Sequence, residues 1–318
     1  MATTRRIFIE TSAKAAGAGI ATSVMGVTSA EANPLNLPIG LQLYTVGAEM
    51  DKDPAGTLKA VAAVGYKQVE LSPLSKTPAK DLKKMVDDAG LKNPSGHYML
   101  PDLMSKLPET IELAHVFGQE YMIVTVPWVA DPSRFTPDPR GGEFALFLAI
   151  INGLTLDDWK WNAEQFNKVG EQVKKAGLQL GYHNHNFEWK KFAGVTAYDE
   201  FLRLTDAGLV KLELDCGWAT VAGQDPVAYL TKYPERYRLL HVKDFKKEFT
   251  PRTTLAGKDV GVPVATELGR GSIDYARVFA AAKKGEIRGI FVEQEPPFTE
   301  MTALEAIKVN FEYVKNLK

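Results

Sequence analysis

Short β-branched or apolar runs alternate with amphipathic helical stretches along most of the chain, and nothing else in the sequence limits the fold so strongly. The runs fall at residues 39–45, 68–71, 95–99, 121–126, 178–183, 210–215, 239–242 and 289–293. Residues 54–63, 78–89, 107–117, 157–176, 197–205, 226–233, 275–284 and 301–316 carry helical periodicity between and after them. Several helices end in glycine just before the next strand, as in Val64-Gly65-Tyr66, Ala89-Gly90-Leu91 and Ala176-Gly177-Leu178. Such a glycine fits a left-handed helix cap followed by a short turn. Strand–helix alternation implies a parallel sheet with helical crossovers. Eight units over this length predict an α/β fold, a closed (β/α)8 TIM barrel. An open doubly wound sheet is the runner-up. No Gly-x-Gly-x-x-Gly follows the first run, so a dinucleotide fold has no support.

The N-terminus stands apart from this pattern. Thr4-Arg5-Arg6-Ile7-Phe8-Ile9 precedes a mildly apolar, Ala/Gly-rich stretch over residues 15–27, and then Ala30-Glu31-Ala32. This layout resembles a twin-arginine export signal with a small-x-small cleavage pattern, although Glu10 stands where lysine is often found. The expectation is a signal peptide over residues 1–32, a single barrel domain over 33–318 and a periplasmic location. An amphipathic first helix of the fold is the alternative, opposed by the acid-poor start and the Gly-rich middle. Lys+Arg is 38 and Asp+Glu is 39, a net charge of −1, so no global positive field exists to hold nucleic acid or an anionic membrane. With Cys216 as its one cysteine, the chain can form neither an intramolecular disulfide nor a cysteine-built zinc site. No apolar run beyond the N-terminus approaches the ~20 residues that span a bilayer.

In a parallel barrel, polar residues at the last positions of the strands point at the mouth, where active sites lie. The eight runs end near Gln42 and Tyr44, Glu70, His97, Pro127-Trp128, the segment Tyr182-His183-Asn184-His185-Asn186-Phe187-Glu188-Trp189, Asp215-Cys216-Gly217-Trp218, His241-Val242-Lys243-Asp244 and Glu293-Gln294-Glu295. Four of the five histidines fall at such ends, and His115, within a helix, reads as a surface or packing residue. The long connections 127–156 and 244–272 follow strands four and seven and lie at the same face.

Leu214-Asp215-Cys216-Gly217-Trp218, His241-Val242-Lys243-Asp244, Glu267-Leu268-Gly269-Arg270-Gly271 and Val292-Glu293-Gln294-Glu295, in that order, resemble the xylose-isomerase-like barrel superfamily of sugar and sugar-phosphate isomerases and epimerases. The resemblance covers residues 37–318. It implies one divalent metal held by a carboxylate of strand five, Asp of strand six, His of strand seven and Glu of strand eight. Asp215, His241 and Glu293 match the last three, while the strand-five position falls on His183, where much of the family has Glu. The Tyr182–Trp189 run looks like a subgroup with histidine there. His185 shares the face of His183, and Glu295 that of Glu293, so either could compete as a ligand.

That departure changes the expected chemistry. Two imidazoles and two carboxylates around a dication sum to zero charge, which makes a stronger Lewis acid than the family's usual set. They suit Mn, Zn, Co or Fe better than Mg or Ca, which prefer oxygen ligands. The family uses two glutamates as its acid/base pair, and only Glu293 is kept; His185, Glu188 or Lys243 would supply the second group. Lys243 faces away from His241 on an ideal strand, so a twist would be needed to bring it in. The expected substrate contacts are Gln42, Glu70, His97, Trp128, Glu188 and Trp218. Cys216 reads as a small buried hydrophobe, and the Lys243–Lys247 cluster as a solvated loop face.

The reading that follows is a metal-dependent isomerase or epimerase acting on a small carbohydrate or keto-sugar by proton abstraction beside a polarised carbonyl. The oligomeric state is left open. A lyase or hydrolase of 3-keto-glycosides uses the same site. Two other classes compete: a non-catalytic sugar-binding barrel, which needs no ordered His-Asp-His-Glu set, and a DNA-repair endonuclease of the same superfamily. The last would need three zinc ions, more histidines at the mouth and a basic groove.

Overall fold

The computed structural model describes residues 33–72, 77–138, 145–248, 250–253 and 259–318. The export signal expected over residues 1–32 lies outside them. Eight strands form the barrel: β1 Ile39–Gln42, β2 Gln68–Leu71, β3 Lys92–Tyr98, β4 Tyr121–Val124, β5 Gln179–His183, β6 Val210–Asp215, β7 Tyr237–Val242 and β8 Gly289–Val292. They close in the order β1-β8-β7-β6-β5-β4-β3-β2, every pair parallel. The crossover helices are α1 Pro54–Val64, α2 Ala79–Asp88, α3 Leu107–Phe117, α4 Leu156–Lys175, α5 Ala197–Leu204, α6 Pro226–Lys232, α7 Tyr275–Ala282 and α8 Ala303–Lys315. Gly90 and Gly177 leave α2 and α4 at φ +72° and +80°, the left-handed turn that only glycine makes without strain. No helix among the described residues is long and apolar enough to cross a membrane.

Side chains alternate across each strand, so every second residue faces the barrel axis. The lower interior is apolar: Ile123, Leu239 and Phe291 form their own buried cluster. A Cβ at Gly40 would collide with the Phe291 ring, and one at Gly181 with Ile123; the two glycines leave the room those side chains fill. Two residues further along each strand, Gly40 gives way to Gln42, Gly181 to His183, Leu239 to His241 and Phe291 to Glu293. The same period that builds the apolar floor therefore stacks a polar layer on it. Outside β5, Tyr182 is fully buried against Phe166 and Phe201, with ring centroids 5.4 and 4.9 Å away. Burying one such ring is worth about 1.5–3 kcal/mol, which fixes the pitch of the strand that carries His183.

The element ends differ from the sequence pattern where side chains intervene. β1 stops at Gln42 because the Gln42 side chain accepts from Tyr44 N at 3.1 Å and folds Leu43–Val46 into a 3-10 turn. An unanticipated helix, Cys216–Val221, starts directly after β6, with Asp215 Oδ1 accepting from Trp218 N at 2.7 Å. The connection 127–156 contains the helix Ala145–Gly153, and Arg134 ties it to Asp158 at the start of α4 at 2.6 Å. The connection 244–272 contains two short antiparallel ribbons.

Candidate active site at the C-terminal mouth of the barrel

Four of the five histidines meet at the axis. His97, His183 and His241 have ring centroids 4.5–5.2 Å apart, and His185 lies 5.0 Å from His183. The fifth, His115, is exposed on α3. Two carboxylates, both fully buried, organise the imidazoles from below. Glu70 Oε2 lies 2.6 Å from His241 Nε2 and 2.9 Å from His97 Nε2. Glu70 also accepts from Gln42 Nε2 at 2.9 Å and from Ser95 Oγ. Glu213 Oε2 lies 2.9 Å from His183 Nδ1 and 3.1 Å from His97 Nε2. Burial opposes charging of His97, but Glu70 and Glu213 outweigh it and raise its pKa to about 9. Burial, then the charge of Glu70, pushes Glu213 up to about 7.

Above this layer, His183, Asp215, His241 and Glu293 each offer a ligand atom within 4.8 Å of the others. Asp215 is locked in place, because Asn184 exchanges two 3.1 Å hydrogen bonds with its backbone and Trp218 N takes its Oδ1. Its Oδ2 is buried and accepts no hydrogen bond. His183 Nε2 is 3.7 Å and His241 Nδ1 3.9 Å from that oxygen. Those gaps are too long for hydrogen bonds, and they suit ligands that share one ion. Burial holds the His183 imidazole neutral, as a ligand must be. His97, His183, Glu213 and His241 form a second set with equally close atoms. There Glu213 Oε2 sits at hydrogen-bond distance from two imidazoles, as Glu293 Oε2 does from His241 Nδ1 in the first set.

Lys243 enters the site from just past the end of its strand. β7 ends at Val242, and Tyr275 of α7 grips the next residue, accepting from Lys243 N at 2.7 Å and donating to Lys243 O at 2.5 Å. The buried ammonium lies 3.2 Å from Asp215 Oδ2, 3.0 Å from Glu293 Oε2 and 2.6 Å from Glu295 Oε1. Burial opposes its charge, and the three carboxylates overcome that and raise its pKa well above the ordinary lysine value. Burial likewise opposes ionisation of Glu293, while Lys243 and His241 hold it well below the usual carboxylate range. The expected solvated face at 243–247 therefore begins inside the site: Lys243, Asp244 and Phe245 are buried, and only Lys247 is exposed among the lysines there.

A cavity of about 510 Å³ opens over these groups, lined among others by Tyr44, His97, Trp128, His183, His185, Trp218, Lys243 and Glu293. Trp128 is held by two hydrogen bonds between its backbone and the Asn162 side chain, at 2.7 and 2.8 Å. His185 stacks on Phe187 at 5.3 Å, and its buried Nδ1 has no partner. Burial, then Lys243, lowers its pKa to about 3, so the ring is neutral. Three expected substrate contacts are placed elsewhere. Gln42 and Glu70 are fully buried, bonded to each other and to the imidazoles of His97 and His241, and are not among the residues that line the cavity. Glu188 is fully buried as well; its Oε1 accepts from Tyr182 OH and His185 N, both at 2.8 Å, so it shapes the loop after β5.

The motif Glu267-Leu268-Gly269-Arg270-Gly271 carries structure. Asp244 Oδ1 accepts from Ser272 N at 2.9 Å and Leu268 N donates to Asn310 Oδ1 at 2.8 Å, fastening the long connection to α8. Glu213 escaped the sequence reading although Glu213-Leu214-Asp215 puts both acids on one strand face. Leu146 and Phe147, which also line the cavity, sit in a connection that no strand-end rule addresses.

A parallel (β/α)8 barrel with a buried histidine–carboxylate cluster at the C-terminal strand ends defines a class of barrels built for small-molecule chemistry. The chain belongs to the xylose isomerase-like TIM barrel family, whose model matches residues 58–316. It is 32% identical over 152 residues to an inosose dehydratase of Clostridium perfringens, a match covering 45% of this chain and only 50% of that protein. It is 26% identical over 278 residues to an inosose dehydratase of Geobacillus kaustophilus, covering 82% of this chain and 86% of the relative. Among solved structures, a sugar phosphate isomerase/epimerase from Parabacteroides distasonis superposes with a TM-score of 0.68 at 25% identity, covering 94% of this chain and 98% of that one.

Proposed function

We propose that the protein is a metal-dependent enzyme that removes a proton from the carbon next to the carbonyl of a keto-sugar or related polyol ketone. The observation that carries this reading is the buried His183–Asp215–His241–Glu293 set, with Asp215 Oδ2, which accepts no hydrogen bond and faces the Lys243 ammonium at 3.2 Å, among its donor atoms, under an open cavity. These four residues would hold the ion, and their mixed nitrogen and oxygen donors suit Mn, Zn, Co or Fe. When bound, such an ion supplies Lewis acidity that polarises a substrate carbonyl. Glu293 takes the proton through Oε1, its Oε2 being engaged with His241 at 2.7 Å. Glu213 and Glu70 keep the imidazoles oriented, and Lys243 holds positive charge beside the carbon that becomes anionic. Return of the proton to the former carbonyl carbon, while the hydroxyl proton of the first carbon passes to the former carbonyl oxygen, completes an isomerisation.

A second reading is elimination, favoured by one contact: Lys243 Nζ lies 3.0 Å from Glu293 Oε2, so acid and base share one wall. The C–H bond beside the carbonyl breaks, its proton goes to Glu293 and a C=C bond forms. The C–O bond one carbon further on breaks, and the departing oxygen takes a proton from Lys243. The relatives' designation as inosose dehydratases supports this outcome. Two-base epimerisation has less support, since it needs groups on opposite faces of the substrate.

The test is turnover of a panel of inositol ketones, ketoses and 3-keto-glycosides by metal-loaded protein in heavy water. Isomerised product is expected to carry deuterium at the carbon next to the carbonyl, whereas elimination, which leaves no hydrogen on that carbon, is marked by loss of water or alcohol and by deuterium at that carbon in recovered substrate. Isomerised product free of solvent deuterium, with no label lost to solvent from substrate already deuterated at that carbon, rejects proton abstraction and favours a hydride shift.

A further inference from the structure

Among the described residues, two unlike groups line the active-site cavity. The floor is ionic: Lys243, Glu293, Glu295 and the histidines line it. The rest of the lining includes Met99, Val126, Trp128, Leu146 and Phe147, with Ser72 and Thr125. Leu146 and Phe147 come from the helix Ala145–Gly153, which carries no charged residue. Both side chains are only partly buried, and Leu148 beside them is 50% exposed. A free sugar or inositol ketone is hydroxylated around its whole ring. Seated with its carbonyl on the floor, it would press hydroxyls against Leu146 and Phe147 and leave them without hydrogen-bond partners. A second sugar ring could lay one face on Trp128, but its hydroxyl edges would meet Met99 and Val126 with the same cost. An apolar ring meets no such penalty, and the cavity's 510 Å³ is in the range that takes a ligand larger than one small ring.

We propose that the substrate is a keto-sugar bearing an apolar, aryl-like substituent on its glycosidic oxygen, and that Trp128, Leu146 and Phe147 form the subsite for that substituent. This rests on the reading of the floor as the place of carbonyl chemistry, and it makes an aryl alcohol the group released if that chemistry is elimination. Trp218 belongs to the floor instead: its Nε1 donates to Glu295 at 2.9 Å and its ring lies 5.4 Å from the Lys243 ammonium.

The experiment has a binding arm and a turnover arm. In the first, phenyl and methyl glucosides, unoxidised and therefore unreactive toward proton abstraction, are titrated calorimetrically into the purified protein. Burial of the phenyl ring is expected to tighten binding about ten- to a hundredfold over methyl. Phe147→Ala and Trp128→Ala, both at partly exposed positions, should each shrink that ratio several-fold. Equal affinities, no measurable phenyl binding, or a ratio unmoved by both substitutions overturns the subsite. In the second arm, phenyl and methyl 3-keto-glucosides are compared by kcat/KM, with phenyl expected to lead. Turnover of both with a ratio near one refutes the aryl subsite while the chemistry stands. A phenyl preference in binding with no turnover of any keto-sugar supports the subsite and refutes the chemistry.

Discussion

Glu213→Gln separates the orientation of the imidazoles from their presence. Glu213 is fully buried, and its Oε2 lies 2.9 Å from His183 Nδ1, 3.1 Å from His97 Nε2 and 3.3 Å from His241 Nε2. A hydrogen bond from His183 Nδ1–H to that oxygen leaves Nε2 as the lone-pair nitrogen facing Asp215. Outer acceptors of this kind typically change metal affinity 10- to 100-fold when altered, about 1.4–2.7 kcal/mol. Glutamine keeps the shape and one carbonyl oxygen but loses the charge. It also removes a carboxylate whose pKa is pushed up to about 7 by burial and by Glu70, so the metal-free fold should not weaken. Glu213→Ala differs: it strips the acceptor from His183, and that orphaned donor costs about 1–3 kcal/mol, while His97 keeps Glu70 at 2.9 Å. The assay is zinc and manganese affinity by competition with a chromogenic chelator, alongside thermal melts of the metal-free proteins. The expected pattern is weaker metal binding in a normally stable Glu213→Gln protein and a lowered melting temperature for Glu213→Ala. An affinity within twofold of the parent in a folded Glu213→Gln protein would refute the claim that Glu213 sets the ligand nitrogen.

Asp215→Ala and His241→Ala should each abolish stoichiometric metal while circular dichroism shows a folded barrel; metal retained in both, by elemental analysis, rejects the ligand set. Glu293→Gln keeps an oxygen ligand and removes the base, so turnover should fall about 10²–10⁴-fold once metal content is matched; an unchanged kcat excludes Glu293 as the proton acceptor. Replacing Arg5 and Arg6 together with lysine should leave precursor in the cytoplasm, and normal amounts of processed periplasmic protein would show that the pair is not an export signal.

The barrel was legible in the sequence because its signal is local and repeated. Apolar runs of strand length, helical periodicity between them and glycines such as Gly90 and Gly177 all concern neighbours in the chain, so eight units could be counted without knowing how they meet. The same alternation placed His183, Asp215, His241 and Glu293 at strand ends, and closure of the barrel brings their donor atoms within 4.8 Å. Three things needed the tertiary structure. Depth was one: Gln42 and Glu70 end strands like the others, but closure of the barrel buries both fully against the imidazoles, bonded to each other at 2.9 Å. Direction past a strand end was another: Lys243 is buried in the site, with its backbone held by Tyr275, 32 residues away. The third was the wall of the cavity. Leu146 and Phe147 lie in a connection whose path is set by contacts such as Arg134 to Asp158, and no periodicity within the connection encodes which way its helix faces. Sequence thus determined what repeats along the chain, while the structure decided what depends on which distant residue a side chain meets.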